Sequence, residues 1–334
     1  MRGGCQGLLL AGCAAIALLL IAPGWNALAE ELPQVEFHEE PGEVVIQVDK
    51  EPVATYVYED PVITRPYFAH VRAPGGVQVT RNHPPVAGQD TPDHPTFHPG
   101  IWMAFGDLSG CDYWRLAART VQGAFLLEPS DGPGKGSFAV LNRYLDQQDP
   151  TKTVCTEHCR FTFLVRPEGY LLLWDSTFRS DQEFYFGDQE EMGLGIRVAT
   201  PIRVEQAGGS IPPGNGRMVD AAGRVNGEQI GGNSSDWCDY SGTLEGRRVG
   251  MTLFCHPQNF RPSWFHARDY GFLEANPFGR AAFHKGEPSK VVVKPGDSLR
   301  LRYGILIHSG AEGSQSDLKA AYADYVQLAD EEGE

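Results

Sequence analysis

The stretch TVCTEHCRFTFLVRPEGYLLLWDSTF, residues 153–178, decides the fold. Thr153–Arg166 alternates as a strand does, Pro167-Glu168-Gly169 supplies turn chemistry, and Tyr170–Phe178 returns with the same β-rich composition. Two such arms around such a turn predict an antiparallel hairpin. The same signals recur outward from it. Glu43–Tyr58 reads as a hairpin around Asp49-Lys50-Glu51-Pro52, and Tyr67–Val71 leads through Ala73-Pro74-Gly75-Gly76 into Val77–Thr80. Further strands are expected at Ile101–Phe105, Val121–Leu127, Gly136–Tyr144, Leu194–Val198, Trp237–Ser241 and Val249–His256. Lys290–Val293 and Leu299–Ile307 read as a closing hairpin around Lys294-Pro295-Gly296-Asp297. One helix is expected, Ser316–Ala329, with Leu318, Tyr322, Tyr325 and Ala329 on one stripe and Ser316 as its cap. Gly208–Ser235 and His256–Gly279 read as irregular chain.

Gly 39 and Pro 24 among 334 residues suit many short strands joined by tight loops, because both residues interrupt helices and serve turns. The expected class is all-β: a large antiparallel β-sandwich or supersandwich with one C-terminal helix, in a single domain over 30–334. The net charge of -15, with no Lys/Arg cluster, argues against a nucleic-acid surface. Neutral or cationic ligands fit better, and a small molecule or oligosaccharide is the expected partner.

Residues 1–29 read as a signal peptide, with Arg2 as the positive region, Leu8–Ile21 as the apolar core and Ala27-Leu28-Ala29 as the cleavage site. Leu10-Ala11-Gly12-Cys13 resembles a lipobox, but the apolar run before Cys13 is short, which favours cleavage after Ala29. Export to the periplasm or beyond is the expectation. No later stretch approaches the roughly 20 apolar residues of a membrane helix, so no membrane insertion is expected after cleavage. Cys111, Cys155, Cys159, Cys238 and Cys255 then remain. Cys155 and Cys159 would share a strand face about 13 Å apart, too far to bridge, and buried free thiols are expected.

Chemistry concentrates at DTPDHPTFHPGIWMAFGDLSGCDYWR, residues 90–115. Pro92, Pro95 and Pro99 exclude a regular helix, so His94 and His98 sit on a loop. Asp93, His94 and His98 are a possible divalent-metal set, since two imidazoles and a carboxylate suit zinc or iron. The competing view has the histidines bonded within the loop. Without metal, His94 or His98 is a general acid or base, tuned by Asp93 or Glu191 and working with His266 and Asp269. Glycoside hydrolysis would pair Glu191 with Asp269 or Asp107. Trp264 and Tyr270 are candidate sugar platforms, whereas Trp102 reads as core. Arg115 and Arg268 could grip an acidic sugar, although salt bridges to Asp112 and Asp269 compete. Asp93, Asp107 and Asn276 complete the candidate binding set, and Glu191 could instead be a buried carboxylate paired with Arg197 or Arg268.

Three motifs in order, residues 93–115, EMGLGIR at 191–197 and WFHARDYGFLEANPFG at 264–279, resemble an exported bacterial family labelled PmoA or methane oxygenase and otherwise treated as a domain of unknown function. The resemblance spans nearly all of the chain after residue 29. It implies a β-sandwich and a carbohydrate context, but the label does not transfer as chemistry, since the methane-oxidising subunit is an integral membrane protein. The expected function is an exported carbohydrate-active protein, a hydrolase, lyase or epimerase working through His, Asp and Glu. The alternatives are a non-catalytic carbohydrate-binding or envelope protein and a metal-dependent oxygenase.

Overall fold

A computed structural model describes residues 1, 3–4, 32–205, 211–311 and 317–333. The chain divides into two compact units, Met1–Glu31 and Leu32–Glu334, and the expected signal core and cleavage site lie outside the described residues. Among the described residues, every strand and helix belongs to Leu32–Glu334.

The chain runs β1 (Gln34–Glu40), β2 (Glu43–Val48), β3 (Glu51–Val57), β4 (Tyr67–Ala69), β5 (Ile101–Phe105), β6 (Thr120–Ser130), β7 (Gly132–Pro133) and β8 (Lys135–Leu145). There follow β9 (Thr153–Arg166), β10 (Gly169–Arg179), β11 (Phe184–Phe186), β12 (Met192–Arg197), β13 (Arg217–Asp220), the short helix α1 (Asn226–Ile230), β14 (Trp237–Leu244) and β15 (Arg247–Cys255). The chain ends with β16 (Trp264–Arg268), β17 (Phe272–Asn276), β18 (Val291–Val293), β19 (Ser298–Ala311) and α2 (Leu318–Glu331).

A nine-stranded sheet, β16-β17-β12-β5-β4-β3-β2-β1-β7, packs on an eight-stranded one, β13-β14-β15-β19-β10-β9-β8-β6. The described pairings are antiparallel. This is the all-β sandwich with one C-terminal helix that the strand pattern predicts. The apolar core lies between the sheets, where Phe68, Phe105, Phe138, Phe161, Leu253 and Ile305 meet. Residues 153–178 form the β9–β10 hairpin in full register from Arg166↔Gly169 to Thr156↔Arg179. The β2–β3 turn also forms, with Asp49 at φ 50° and Lys50 at φ 71°, the doubly left-handed pair whose twist suits a two-residue hairpin loop.

Four expectations give way. Val291–Val293 pairs with β11, not with β19, which is already bonded on both sides by β10 and β15. His256–Gly279 is no irregular stretch, because it contains the β16–β17 hairpin turning at Asp269–Gly271. Gly208–Ser235 likewise contains β13 and α1. Ser316 lies outside the described residues, and the side chain that caps α2 is Asp317, accepting from the Ala320 amide at 3.0 Å. The helix lays Ala321, Tyr325 and Ala329 on the outer face of the second sheet, against Phe254, Leu164, Leu171 and Leu306. All five described cysteines are buried and free.

Candidate functional site

The site stands on the outer face of the nine-stranded sheet, away from the core. One row across its strands reads His266–Glu274–Gly195–Trp102, and the next reads Arg268–Phe272–Arg197. Strand alternation turns Phe265, Ala267, Leu273 and Ala275 into the core, so their polar and aromatic neighbours face outward. Gly195 makes the arrangement possible, since a Cβ there would stand 2.8 Å from the Trp102 indole.

A loop over residues 81–99 roofs this floor, and three buried arginines hold it. Arg81 donates to the carbonyls of Thr91, Asp93, His94 and His98 at 2.6–3.2 Å. Arg65 donates to those of Phe97, Tyr113 and Trp114. Arg197 meets both oxygens of Asp93 at 2.8 Å and lies 4.7 Å over the Tyr270 ring. Burial opposes the charge on Asp93, but its His94 hydrogen bond and Arg197 outweigh it and hold the carboxyl well below the usual carboxylate range.

Loop and floor enclose a pocket of about 100 Å³ lined by His94, Phe97, His98, Trp114, Arg115, Glu191, His266, Tyr270 and Phe272. His94 stacks on His98 at 4.7 Å between centroids, and His98 stacks in turn on Phe272 and Trp102. Two segments some 170 residues apart in sequence thus share one hollow. Of the residues singled out from sequence, His94, His98, Arg115, Glu191, His266 and Tyr270 line it, and six others do not. Asp93 is taken up by Arg197. The Asp107 carboxylate accepts from the Gly110 amide in its own turn. Asp269 accepts from the Gly227 amide at the start of α1. Asn276 has its amide filled by the carbonyls of Gln189 and Glu190 and the amides of Phe278 and Gly279. Arg268 pairs with Glu190, and Trp264 stands beside Arg261 and Phe283. Glu191 pairs with Arg115, which also holds Asp112, rather than with Arg197 or Arg268. Trp102 is fully buried.

The metal reading of Asp93, His94 and His98 meets a geometric obstacle. Imidazole lone pairs lie in the ring plane, so rings stacked face to face do not aim them at one point, and Asp93 is already engaged. Among the described residues no group of three His, Cys, Asp or Glu is disposed to hold a metal ion.

Protonation states follow from burial. His266 is pushed down to about 3, by burial first and then by Arg268. His98 is driven well below its ordinary value by burial and the charge of Arg197. The two are neutral imidazoles near pH 7. His266 Nδ1 sits 3.1 Å from the Glu190 carbonyl, which can only accept, so its proton is on Nδ1 and Nε2 carries the lone pair. His94 Nδ1 faces Asp93 at 3.1 Å, the same orienting contact by a different acceptor. Beneath His266 lies Glu274, fully buried, with Oε2 at 3.4 Å from Nδ1; burial, then Glu191, raises its carboxyl well above the ordinary value. Glu274 was not singled out in sequence, because its partner depends on cross-strand register. His98 Nδ1, Trp102 Nε1, His266 Nε2 and Glu274 Oε2 are buried without a hydrogen-bond partner. Of these four residues, His98 and His266 line the pocket.

Fold and pocket together define a β-sandwich protein with a histidine-bearing, aromatic-walled cavity on the outer face of one sheet. The chain belongs to a family of unknown function, DUF6807, whose model matches residues 43–323. That description carries neither an activity nor the methane-oxygenase label. No curated protein matches the chain. Among solved structures it is similar to an α-galactosidase from Geobacillus stearothermophilus (9% identity, 83% of this chain and 41% of that one, TM-score 0.44). It is also similar to galactose mutarotase-like proteins from Lactobacillus casei (8%, 82% and 100%, TM-score 0.38) and Clostridium acetobutylicum (8%, 84% and 99%, TM-score 0.37). The chain spans about two-fifths of the length of that α-galactosidase. Among the described residues no helix is long and apolar enough to cross a membrane.

Proposed function

We propose that the protein is an exported carbohydrate-active enzyme that moves protons on a sugar, opening, closing or epimerising it, with His94 and His266 as acid–base groups and Glu191 as the carboxylate of the site. The observation that carries this reading is the presence in one pocket of two imidazoles, each oriented through Nδ1, beside an aromatic wall of Tyr270, Phe272 and Trp114. Proton transfer needs a group whose lone pair is free at working pH, and the neutral His266 imidazole, with its proton on Nδ1, meets that need at Nε2. Aromatic faces suit the C–H faces of a pyranose. Hydrolysis is less well supported. It needs two carboxyl groups flanking the bond, whereas the lining has one, Glu191, already paired with Arg115. Export rests on Arg2, the apolar run at 8–21 and Ala27–Ala29.

The test is exchange spectroscopy by NMR on galactose, glucose and galacturonate with purified protein. Wild type should accelerate anomer or epimer exchange, and His266→Gln and His94→Ala should each slow it by about a hundredfold or more while sugar still binds. Binding of a sugar with no acceleration by wild type would make the pocket a recognition site and overturn the catalytic reading.

A further inference from the structure

The second sheet carries an open polar face of its own. Beside the C-terminal end of α2, outward residues of β8, β9, β10 and β19 fall into register, with Arg302 among them buried against Ala329 and Asp330 of the helix. One row reads Arg143–Thr156–Arg179–Ser298, the next Leu141–His158–Thr177–Arg300, the third Ala139–Arg160–Asp175–Arg302. In a chain of net charge -15 this is a concentration of five arginines against one acid within the rows. Most are neutralised. Arg300 is gripped bidentately by Asp175, Arg160 meets Glu332 and Arg302 meets Asp330. Arg143 and Arg179 have no carboxylate partner among the described residues, and Arg179 Nη2 donates instead to His158 Nδ1 at 2.8 Å. A cation that donates to an imidazole requires that nitrogen to be an acceptor, so the His158 proton is on Nε2 and adds a second donor beside the guanidinium.

Two hollows adjoin here. One of about 390 Å³ is bounded by His158, Arg160, Asp175, Thr177, Arg179 and Arg300. The other, of about 610 Å³, is bounded by Thr156, Thr177, Arg179, Asp181, Asp297 and Ser298. They share Thr177 and Arg179, which makes one groove with an anion-accepting end and a hydroxyl-rich end. Asp181 and Asp297 stand at the second end and disfavour negative charge there. The overall charge of -15 repels densely charged polyanions such as nucleic acid or an anionic membrane before contact, while a short-range site screened beyond about 8 Å still accepts an isolated anion. A guanidinium fork matches a planar carboxylate or a sulfate with paired donors.

We propose that this groove binds an acidic saccharide, its carboxylate or sulfate on Arg179 and His158 and its neutral sugar units along Thr156, Thr177 and Ser298. The site is separate from the pocket on the other sheet and does not depend on its chemistry.

The test is a titration of the full chain with tetragalacturonate, a sulfated disaccharide, inorganic sulfate and neutral maltotetraose, followed by calorimetry and by the His158 ring resonances. The His158 pKa lies below its ordinary value through burial and Arg179, and a bound anion should raise it. An acidic saccharide should bind, and Arg179→Ala should weaken it by about tenfold or more. Thr177→Val, which keeps the charge, should weaken the saccharide but not inorganic sulfate, and His94→Ala in the pocket should leave this binding unchanged. Preference for tetragalacturonate or for the sulfated sugar identifies which acid is read, and either supports the site. Equal affinity for maltotetraose, equal affinity for inorganic sulfate, or no binding of either acidic sugar would each overturn it.

Discussion

At the scale of single residues, His266 sits dry between Phe272 and Phe283, above the Glu274 carboxyl, and acid has to charge it in place or after unfolding. Its folded pKa of about 3 lies below the unfolded 6.5, so its contribution is complete above pH 6.5 and is lost as pH falls toward 3. At about 1.4 kcal/mol per unit, lowering the pH from 6.5 to 4.5 should remove about 2–3 kcal/mol through this group alone. Urea unfolding at pH 7 and pH 4.5 should show that loss in wild type and a smaller one in His266→Gln; equal losses would refute the account. Glu274 acts with the opposite sign, since its raised pKa stabilises the fold at low pH and that contribution fades as pH rises through it. His94 and His98 were legible in sequence because His and Asp between prolines announce themselves. Arg65 and Arg81 were not. Their partners are backbone carbonyls of a loop, and every residue type carries a carbonyl.

At the scale of elements, the floor of the pocket depends on one side chain being absent. Gly195 leaves room for the indole of Trp102, and an added methyl would meet it at 2.8–2.9 Å. Gly195→Ala should cost about 1–3 kcal/mol by overpacking, and should weaken sugar binding by tilting Trp102 against His98. Denaturant unfolding and near-ultraviolet circular dichroism of the tryptophans would check both effects; a variant of native stability and unchanged spectrum would remove the argument. The β16–β17 hairpin was not read from sequence: Phe265 and Ala267 alternate with Trp264, His266 and Arg268, but polar residues on the outward side resemble those of a loop. The pairing of β18 with β11 was not readable, since both are three residues long and more than a hundred positions apart.

At the scale of the whole molecule, the sandwich was the most legible property, since hairpins join neighbours in sequence and alternation names the inner face. The relation between distant strands, and so the meeting of residues 94–98 with 264–272, needed coordinates. Cysteine behaviour also belongs to this scale. All five described thiols lie in the interior, and burial pushes Cys255 up to about 12 and Cys155, Cys159 and Cys238 well above the ordinary value. Alkylation mapped by mass spectrometry should leave these five positions unmodified in native protein and modify all of them once it is unfolded. Rapid labelling of any one in the native state would show that the interior opens on that timescale.

The arginine clasp on the pocket roof has a consequence for how the pocket can vary. Arg65 and Arg81 grip main-chain oxygens, so the path of the loop does not rest on the side chains of His94 and Phe97, whereas the buried His98 packs it onto the floor. A single substitution at position 94 or 97 should therefore change the wall of the hollow while the roof above the sheet keeps its path.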